Sequence, residues 1–234
     1  MKKRMCVLFL ALLLAGCSKE VVTESPAVEA GPTELVQMET LPIQTQPQTL
    51  PEVPEDTEFV RVADYIPGIY QELLYATDRN FTGQVIYDFQ DAYLRYGTVK
   101  KLKAVSEDLA EMGIFLKIWD GFRPVSAQFA LWEICPDARY VADPNKGFSS
   151  HSRGNTVDLT LVDTNGIEFP MPTGFDDFSA KADRDYSDCT EEQRNNAVIL
   201  ELIMEKHGFT GYAGEWWHYT DTDSYSVEEN FDPE

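Results

Sequence analysis

The chain has 234 residues, enough for one ordinary domain with additional terminal segments. Its 40 acidic residues outnumber the 19 lysines and arginines, so the formal net charge at pH 7 is -21. Nucleic acids and anionic membranes are bound through basic patches, and this charge therefore argues against both classes of partner.

The N-terminus has the pattern of a bacterial export signal. Basic residues at positions 2–4 precede an apolar stretch, residues 5–13, that is too short to span a bilayer. The next segment, Leu14-Ala15-Gly16-Cys17, resembles a lipobox, in which the cysteine becomes the lipidated first residue of the mature protein. We predict a lipoprotein signal peptide over residues 1–16 and an extracytoplasmic protein attached to the membrane through lipid on Cys17 alone. Ordinary secretory cleavage at the same place is the alternative.

Residues 17–56 have the composition of a tether. From residue 18 onward this segment holds six prolines and eight acids, and it has no aromatic residue. Such a composition cannot bury enough apolar surface to offset the entropy of ordering, so we predict a disordered segment.

The apolar patterns of residues 57–234 predict one folded domain. Apolar, β-prone runs at 59–66 and 69–76 are separated by the turn signal Pro67-Gly68. A helix is predicted over 98–112, ended by Gly113. One face of this helix carries Val99, Leu102, Val105, Leu109 and Met112.

The second half of the domain adds strands and helices in irregular order. A buried strand over 114–119 leads through a loop to a short helix over 125–134, and a second strand is expected over 156–161. A helix over 190–207 follows, with Thr190 and Gln193 as a capping box, and the last strand candidates are 209–212 and 216–219. This mixture predicts an α+β fold with helices packed on a mainly antiparallel sheet.

Two side chains in the segment 149–161 predict half of a metal site. His151 and Asp158 are separated by a short polar stretch, and imidazole and carboxylate both bind zinc. Of the other histidines, His207 lies in the last helical turn, where the helix dipole favours a partly charged imidazole, so we predict a structural role for it. His218 stands beside a carboxylate and between aromatic residues. It would complete a His₂Asp site with an open position for hydrolytic chemistry.

Glu215 is the candidate general base, because its carboxylate lies three residues before His218. In a straight strand the two side chains would point to opposite faces, so a bend or bulge is required. The carboxylate would activate the attacking water and then protonate the leaving amine. The intervening Trp216 and Trp217 would exclude water from the site or form part of the core.

Arg123 is the candidate transition-state stabiliser. It lies in the loop after a buried strand, where a guanidinium could stabilise the oxyanion of a tetrahedral intermediate. A surface arginine paired with one of the many acids is an equal alternative. Cys135 and Cys189 are the cysteines of the folded part. Export permits a disulfide between them, but the sequence does not show whether they approach each other, so the pairing stays open. Neither lies in a Cys-x-x-Cys motif, which argues against a metal role for them.

Four motifs of the sequence resemble one protein family. Residues 149–158 (Ser-Ser-His-x-x-Gly-x-x-x-Asp) and 215–218 (Glu-Trp-Trp-His) resemble motifs of the zinc-dependent D-alanyl-D-alanine dipeptidases, the VanX-like members of peptidase family M15. The segments 75–83 (Tyr-Ala-Thr-x-x-Asn-Phe-x-Gly) and 120–124 (Asp-Gly-Phe-Arg-Pro) match the same family in the same order. The resemblance covers about residues 59–232.

The resemblance implies a zinc peptidase that binds one zinc ion per chain and a small dipeptide substrate. Tyr75 and Ser150 would line the substrate pocket. The chain departs from the family at Leu74, where many members have a basic residue, and at Asp78-Arg79. The other implied roles are zinc ligation by His151, Asp158 and His218, acid–base catalysis by Glu215 and transition-state stabilisation by Arg123.

Export changes the biological role that this family would have. An exported enzyme would meet free dipeptides or wall fragments, which predicts D-alanyl-D-alanine hydrolysis in wall turnover or scavenging. Two alternatives stay open: a zinc D,D-carboxypeptidase that acts on longer wall peptides, and a non-catalytic wall-binding lipoprotein. The complete ligand set argues against the last. The sequence leaves the oligomeric state open.

Overall fold

A computed structural model describes residues 53–233 of the chain. The predicted signal peptide, the lipidation site Cys17 and the tether up to residue 52 lie outside the described residues. The last residues assigned to the tether, 53–56, are described, and the carbonyl of Asp56 accepts a hydrogen bond from Gly97 N at 3.0 Å. Within residues 53–233, no helix is both long enough and apolar enough to cross a bilayer.

Strands and helices are mixed along the described part of the chain. Short 3₁₀ turns cover Leu74–Ala76, Ser150–Arg153 and Ala180–Ala182. The strands and helices, in chain order, are β1 (Phe59–Arg61), α1 (Val62–Tyr65), β2 (Tyr70–Gln71), β3 (Tyr93–Arg95), α2 (Tyr96–Ala110), β4 (Phe115–Asp120), α3 (Val125–Ile134), β5 (Thr156–Val162), α4 (Glu191–Lys206), β6 (Phe209–Tyr212) and β7 (Glu215–Asp221).

The main sheet has five strands in the order β2-β4-β5-β7-β6. β2 runs parallel to β4, and the other three pairings are antiparallel. β1 and β3 form a separate antiparallel pair. Every residue of the central strand β5 is buried. The predicted α+β fold with a mainly antiparallel sheet is confirmed.

The two long helices, α2 and α4, pack against each other and against the sheet. The predicted apolar face of α2 is buried from Val99 to Leu109. Met112 is 51% exposed, so its assignment to that face was wrong. The helix ends at Ala110, so Met112 lies beyond its last turn and the helical spacing no longer sets its direction. Gly113 then takes a left-handed φ of +71°.

The capping box of α4 is confirmed in both directions. Thr190 Oγ1 accepts a hydrogen bond from Gln193 N at 3.3 Å, and Gln193 Oε1 accepts one from Thr190 N at 2.9 Å. At the other end, His207 Nε2 lies 2.7 Å from Asp108 Oδ2 of α2. His207 therefore joins the two helices, as its structural interpretation predicts.

The runs 59–66 and 69–76 were predicted to be β-strands, but the structure has strands in only part of each. Residues 62–65 form a helical turn and residues 74–76 a 3₁₀ turn. Short apolar runs do not distinguish a buried strand from a buried helical turn, so tertiary packing decided these segments. Cys135 and Cys189 are both free thiols in the structure, and Cys189 Sγ lies 3.2 Å from the carbonyl oxygen of Tyr186.

Candidate metal centre and catalytic pocket

Neighbouring strands of the main sheet carry two of the candidate metal ligands. Asp158 in β5 and His218 in β7 are register partners in the antiparallel pair. Directly opposed residues project side by side from one face of a sheet, and His218 Nδ1 lies 3.0 Å from Asp158 Oδ1. Strand pairing therefore joins two ligands that are remote in sequence.

The third candidate, His151, is positioned by the 3₁₀ turn that precedes β5. Ser149 Oγ accepts a hydrogen bond from His151 N at 3.3 Å and so begins the turn. Gly154 ends it with a φ of +74°. A side chain at position 154 would place its Cβ 2.5 Å from Cζ of Phe59, so both conformation and space require glycine there.

The imidazole of His151 is oriented by the loop after β4. Its Nδ1 lies 2.8 Å from the carbonyl oxygen of Gly121. A carbonyl can only accept, so Nδ1 donates and Nε2 keeps its lone pair for a metal. This Nε2 lies 3.3 Å from Asp158 Oδ2 and 3.4 Å from His218 Nδ1.

The spacing of the three ligand atoms fits a zinc ion. One nitrogen or oxygen atom from each of His151, Asp158 and His218 lies within 4.8 Å of the others. Ligands at about 2.0–2.1 Å in a tetrahedral zinc site are about 3.3 Å apart, close to the separations observed here. Asp158 Oδ1 is buried and receives no well-aligned hydrogen bond from any residue between 53 and 233. Two imidazoles and one carboxylate leave the fourth position of a catalytic zinc site open.

The two carboxylates of the site have opposite electrostatic environments. Burial opposes the ionisation of Asp158, but His151 and His218 outweigh it and hold the pKa of Asp158 well below its usual range. Burial raises the pKa of Glu215, an effect that His218 opposes and Asp158 strengthens. An ionised ligand beside a carboxyl group with a raised pKa suits one group to metal binding and the other to proton transfer.

A β-bulge brings Glu215 to the same side as His218, as the sequence required. Tyr212 of β6 pairs with Glu215, whereas the preceding Gly211 pairs with Tyr219. The additional residues of β7 therefore bend the strand. Glu215 Oε2 lies 3.6 Å from His218 Nδ1.

Arg123 faces the site from the loop after β4 and is only 9% exposed, so the alternative of a surface arginine was wrong. Its Nε and Nη2 donate to Asp120 Oδ2 at 3.1 and 2.6 Å, and its Nη1 donates to Gln128 Oε1 at 2.9 Å. A guanidinium has five N–H groups, and these contacts engage three of them. The ring of Tyr75 lies 5.0 Å from the guanidinium carbon.

All the candidate side chains line one cavity of about 270 Å³. Ser150 Oγ lies 3.5 Å from His218 Nε2 at one side of it. Trp216 and Trp217 are fully buried and belong to the core. The predicted site residues on the cavity wall are Tyr75, Arg123, Ser150, His151, Asp158, Glu215 and His218.

Sequence reasoning missed Asp176, which also lines the cavity. Tyr75 Oη donates to Asp176 Oδ2 at 2.9 Å, and burial raises the pKa of Asp176 well above its usual range. Its backbone has a positive φ of 54°, which is uncommon outside glycine. No local pattern separates this acid from its neighbour Asp177, which lies between the same two phenylalanines.

Comparison with known proteins places this arrangement among peptidases. The family model Peptidase_M15, described as D-ala-D-ala dipeptidase, matches residues 55–232. A D-alanyl-D-alanine dipeptidase of Escherichia coli is 37% identical over 166 residues, which are 70% of this chain and 85% of that protein. The enzyme of the same name from Enterococcus faecium is 32% identical over 195 residues, covering 74% of this chain and 96% of that protein.

Solved structures of two related kinds are similar over part of the chain. The LD-carboxypeptidase LdcB has a TM-score of 0.41 and 18% identity, over 77% of this chain and 72% of that one. VanYB in complex with D-alanine-D-alanine has a TM-score of 0.38 and 15% identity, over 56% of this chain and 73% of that one.

Proposed function

The chain belongs to the D-Ala-D-Ala dipeptidase family of M15 metallopeptidases, and we propose that it hydrolyses the D-alanyl-D-alanine dipeptide with one zinc ion per chain. The convergence of His151, Asp158 and His218 around one point, with Glu215 beside them, carries the proposal. The two named relatives supply the substrate class.

The pocket has a group suited to the amino end of the reacting peptide. A small cavity of about 270 Å³ matches a small substrate. Asp176 is a half-buried acid on its wall, and a substrate ammonium group would supply a positive partner for its carboxylate. Tyr75 keeps Asp176 in place through its hydrogen bond. A free amino terminus, and hence a dipeptide rather than an internal bond, is therefore the preferred substrate.

Glu215 is the group that moves protons. A zinc ion bound by the three ligands would lower the pKa of water and polarise the scissile carbonyl. The Glu215 carboxylate takes a proton from the attacking water and passes it to the leaving amine, so the carboxylate is regenerated in each cycle. Its raised pKa favours holding the proton between these two steps.

Arg123 stabilises the negative charge that develops on the carbonyl oxygen. Its guanidinium lines the cavity beside the ligands, and Asp120 and Gln128 hold it there with three hydrogen bonds. These partners also fix the guanidinium before the reaction begins, so little reorganisation is needed in the transition state.

A zinc D,D-carboxypeptidase acting on longer wall peptides is the second candidate. One observation favours it: Ser150, Tyr212 and His218 line both the site cavity and an adjoining open groove. Such a groove could hold more residues than a dipeptide contains. The closed, acidic end at Asp176 favours the dipeptidase instead.

The export signal supports an extracytoplasmic role. The lipobox-like segment at residues 14–17 supports lipid anchoring on Cys17, with residues up to 56 as the tether. An enzyme at that location would hydrolyse free dipeptide in wall-peptide turnover or scavenging. Cell fractionation with a lipid-labelling assay on a Cys17→Ala variant tests the location, and recovery of wild-type protein in the cytosol would contradict it.

Substrate comparison tests the activity itself. The purified protein, loaded with one equivalent of zinc, is given D-Ala-D-Ala and N-acetyl-D-Ala-D-Ala, and free D-alanine is measured. The dipeptidase proposal expects release from the first substrate and little from the second. Preference for the acetylated peptide would favour the carboxypeptidase.

A further inference from the structure

Arg184 lies in the segment between β5 and α4, outside every motif, and its side chain is only 10% exposed. Its guanidinium is directed at the backbone of the bulge in β6 and β7. Nε donates to the carbonyl oxygen of Tyr212 at 2.9 Å, and Nη2 donates to those of Trp216 and His218 at 2.9 and 3.0 Å. Nη1 donates to Tyr219 Oη at 3.1 Å. One side chain thus bonds to both strands.

These bonds replace ladder hydrogen bonds that the bulge removes. Since Tyr212 pairs with Glu215 and Gly211 with Tyr219, residues 216–218 have no register partner on β6. Two buried carbonyl groups of that stretch would lack donors, which is costly in a protein interior. Arg184 supplies the donors, and its own backbone N donates to the carbonyl oxygen of Ala213 in the connecting turn at 3.1 Å.

Gly211 leaves the space that the guanidinium occupies. A Cβ built at position 211 would lie 2.6 Å from both Nε and Nη2 of Arg184. The glycine does not have a left-handed φ, so its requirement is for space and not for backbone conformation. The guanidinium also lies over the ring of Tyr219, 4.3 Å from its centroid. The space between Gly211 and the ring of Tyr219 therefore fits the guanidinium of Arg184.

We propose that Arg184 is a positioning residue for the metal centre. The bulge places the Glu215 carboxylate and the His218 imidazole on the same side of β7. By fixing the bulge, Arg184 sets the separation between these two groups. Arg184 lies behind the strand and does not line the cavity. The expected effect of Arg184 on turnover rests on the proposed function, whereas its expected effect on metal binding does not.

Two variants remove the guanidinium from the bulge by different routes. Arg184→Met deletes the donors and keeps the apolar stem. Gly211→Ala keeps the arginine but displaces its guanidinium. Arg194→Met is the matched control, because Arg194 also donates from Nε to a backbone carbonyl, that of Tyr186 at 3.2 Å, but it does not touch the bulge. The double variant of 184 and 211 completes a thermodynamic cycle.

The experiment uses the full chain and measures zinc affinity by chelator competition, the thermal midpoint, and kcat and KM on D-Ala-D-Ala at saturating zinc. Residues that orient metal ligands typically contribute about 10–100-fold to affinity or activity. We expect Arg184→Met and Gly211→Ala each to weaken zinc binding by about 10–100-fold and to lower kcat with little change in KM. The double variant should be no worse than the poorer single variant. Arg194→Met should keep wild-type zinc affinity and kcat.

The inference would be overturned if the losses of zinc affinity in the two single variants added up in the double variant. It would also be overturned if the Arg184→Met protein bound zinc as tightly as the wild type. If Arg184→Met does not fold, Gly211→Ala decides the question with the same measurements. Should the wild type fail to hydrolyse D-Ala-D-Ala, the proposed function is contradicted, and the zinc affinities alone decide the role of Arg184.

Discussion

Asp158 and His218 face each other across β5 and β7, with 3.0 Å between the carboxylate oxygen Oδ1 and the imidazole Nδ1. Their contact is a consequence of strand register. A shift of one residue would turn one of the two side chains to the other face of the sheet. The metal centre therefore depends on the same pairing that builds the core.

Replacing His151 and His207 in turn should separate a ligand from a structural residue. His151→Ala removes one of three ligands, so zinc content after dialysis should fall from one equivalent to well below it, and turnover should be lost. His207→Ala removes the contact with Asp108 between two helices and should keep full zinc content and turnover, with a slightly lower thermal midpoint. Metal analysis and melting curves on both variants check this. Loss of zinc from His207→Ala would contradict the assignment.

Glu215→Gln should separate proton transfer from metal binding. The amide is nearly isosteric but cannot accept a proton from water, so kcat should fall by about 10²–10⁴-fold while zinc content stays at one equivalent. Glu205→Gln, an exposed change on α4, is the control. Steady-state kinetics at saturating zinc measure the effect. A zinc-loaded Glu215→Gln enzyme with unchanged kcat would remove the catalytic role from this residue.

Arg123→Lys tests the pre-positioned guanidinium. An ammonium group cannot donate to Asp120 and Gln128 in the same geometry as the guanidinium. We expect kcat to fall by about 10²–10³-fold with a smaller change in KM, as for loss of an oxyanion donor. The control Arg79→Lys changes an exposed arginine paired with Glu72. A rise in KM of the same size, with kcat unchanged, would indicate that Arg123 binds the substrate in the ground state instead.

Asp176→Asn should weaken substrate binding. The ammonium group of the dipeptide loses its charged partner, so KM should rise by about 10–100-fold, the effect of a charged hydrogen bond. Asp177→Asn is the matched control in the same loop, since Asp177 accepts a hydrogen bond from Ser179 N and does not line the cavity. Steady-state kinetics on D-Ala-D-Ala measure both variants. An unchanged KM for Asp176→Asn would place the amino group elsewhere.

The same Asp176 variant should alter the dependence of stability on pH. Burial raises the folded-state pKa of Asp176 above its ordinary value of 3.8, so the folded protein binds this proton more tightly than the unfolded chain. Stability therefore falls as pH rises above about 4, and asparagine removes that loss. The thermal midpoint of Asp176→Asn should exceed that of the wild type at pH 7, with a smaller excess at pH 4. A constant difference across this range would contradict a titrating Asp176.

Local patterns predicted much of the fold. The helical periodicity of α2 and the capping box of α4 depend on residues a few positions apart, so the sequence is sufficient for both. The runs 59–66 and 69–76 were misjudged, because their state depends on packing against distant elements. The strand at 93–95 was missed for the same reason: its partner is β1, and its three residues carry no pattern of their own.

The residue types and their spacing predicted the chemistry of the centre: two imidazoles and one carboxylate as ligands, a second carboxylate as base, and an arginine. Those predictions rest on the properties of the side chains. That Asp176 lines the cavity and that Arg184 binds the bulge became visible in the folded chain alone. Both lie in a long irregular segment, residues 163–190, where burial and hydrogen bonding arise from contacts with β6, β7 and Tyr75. Such contacts have no local period, and so nothing in the neighbouring residues records them.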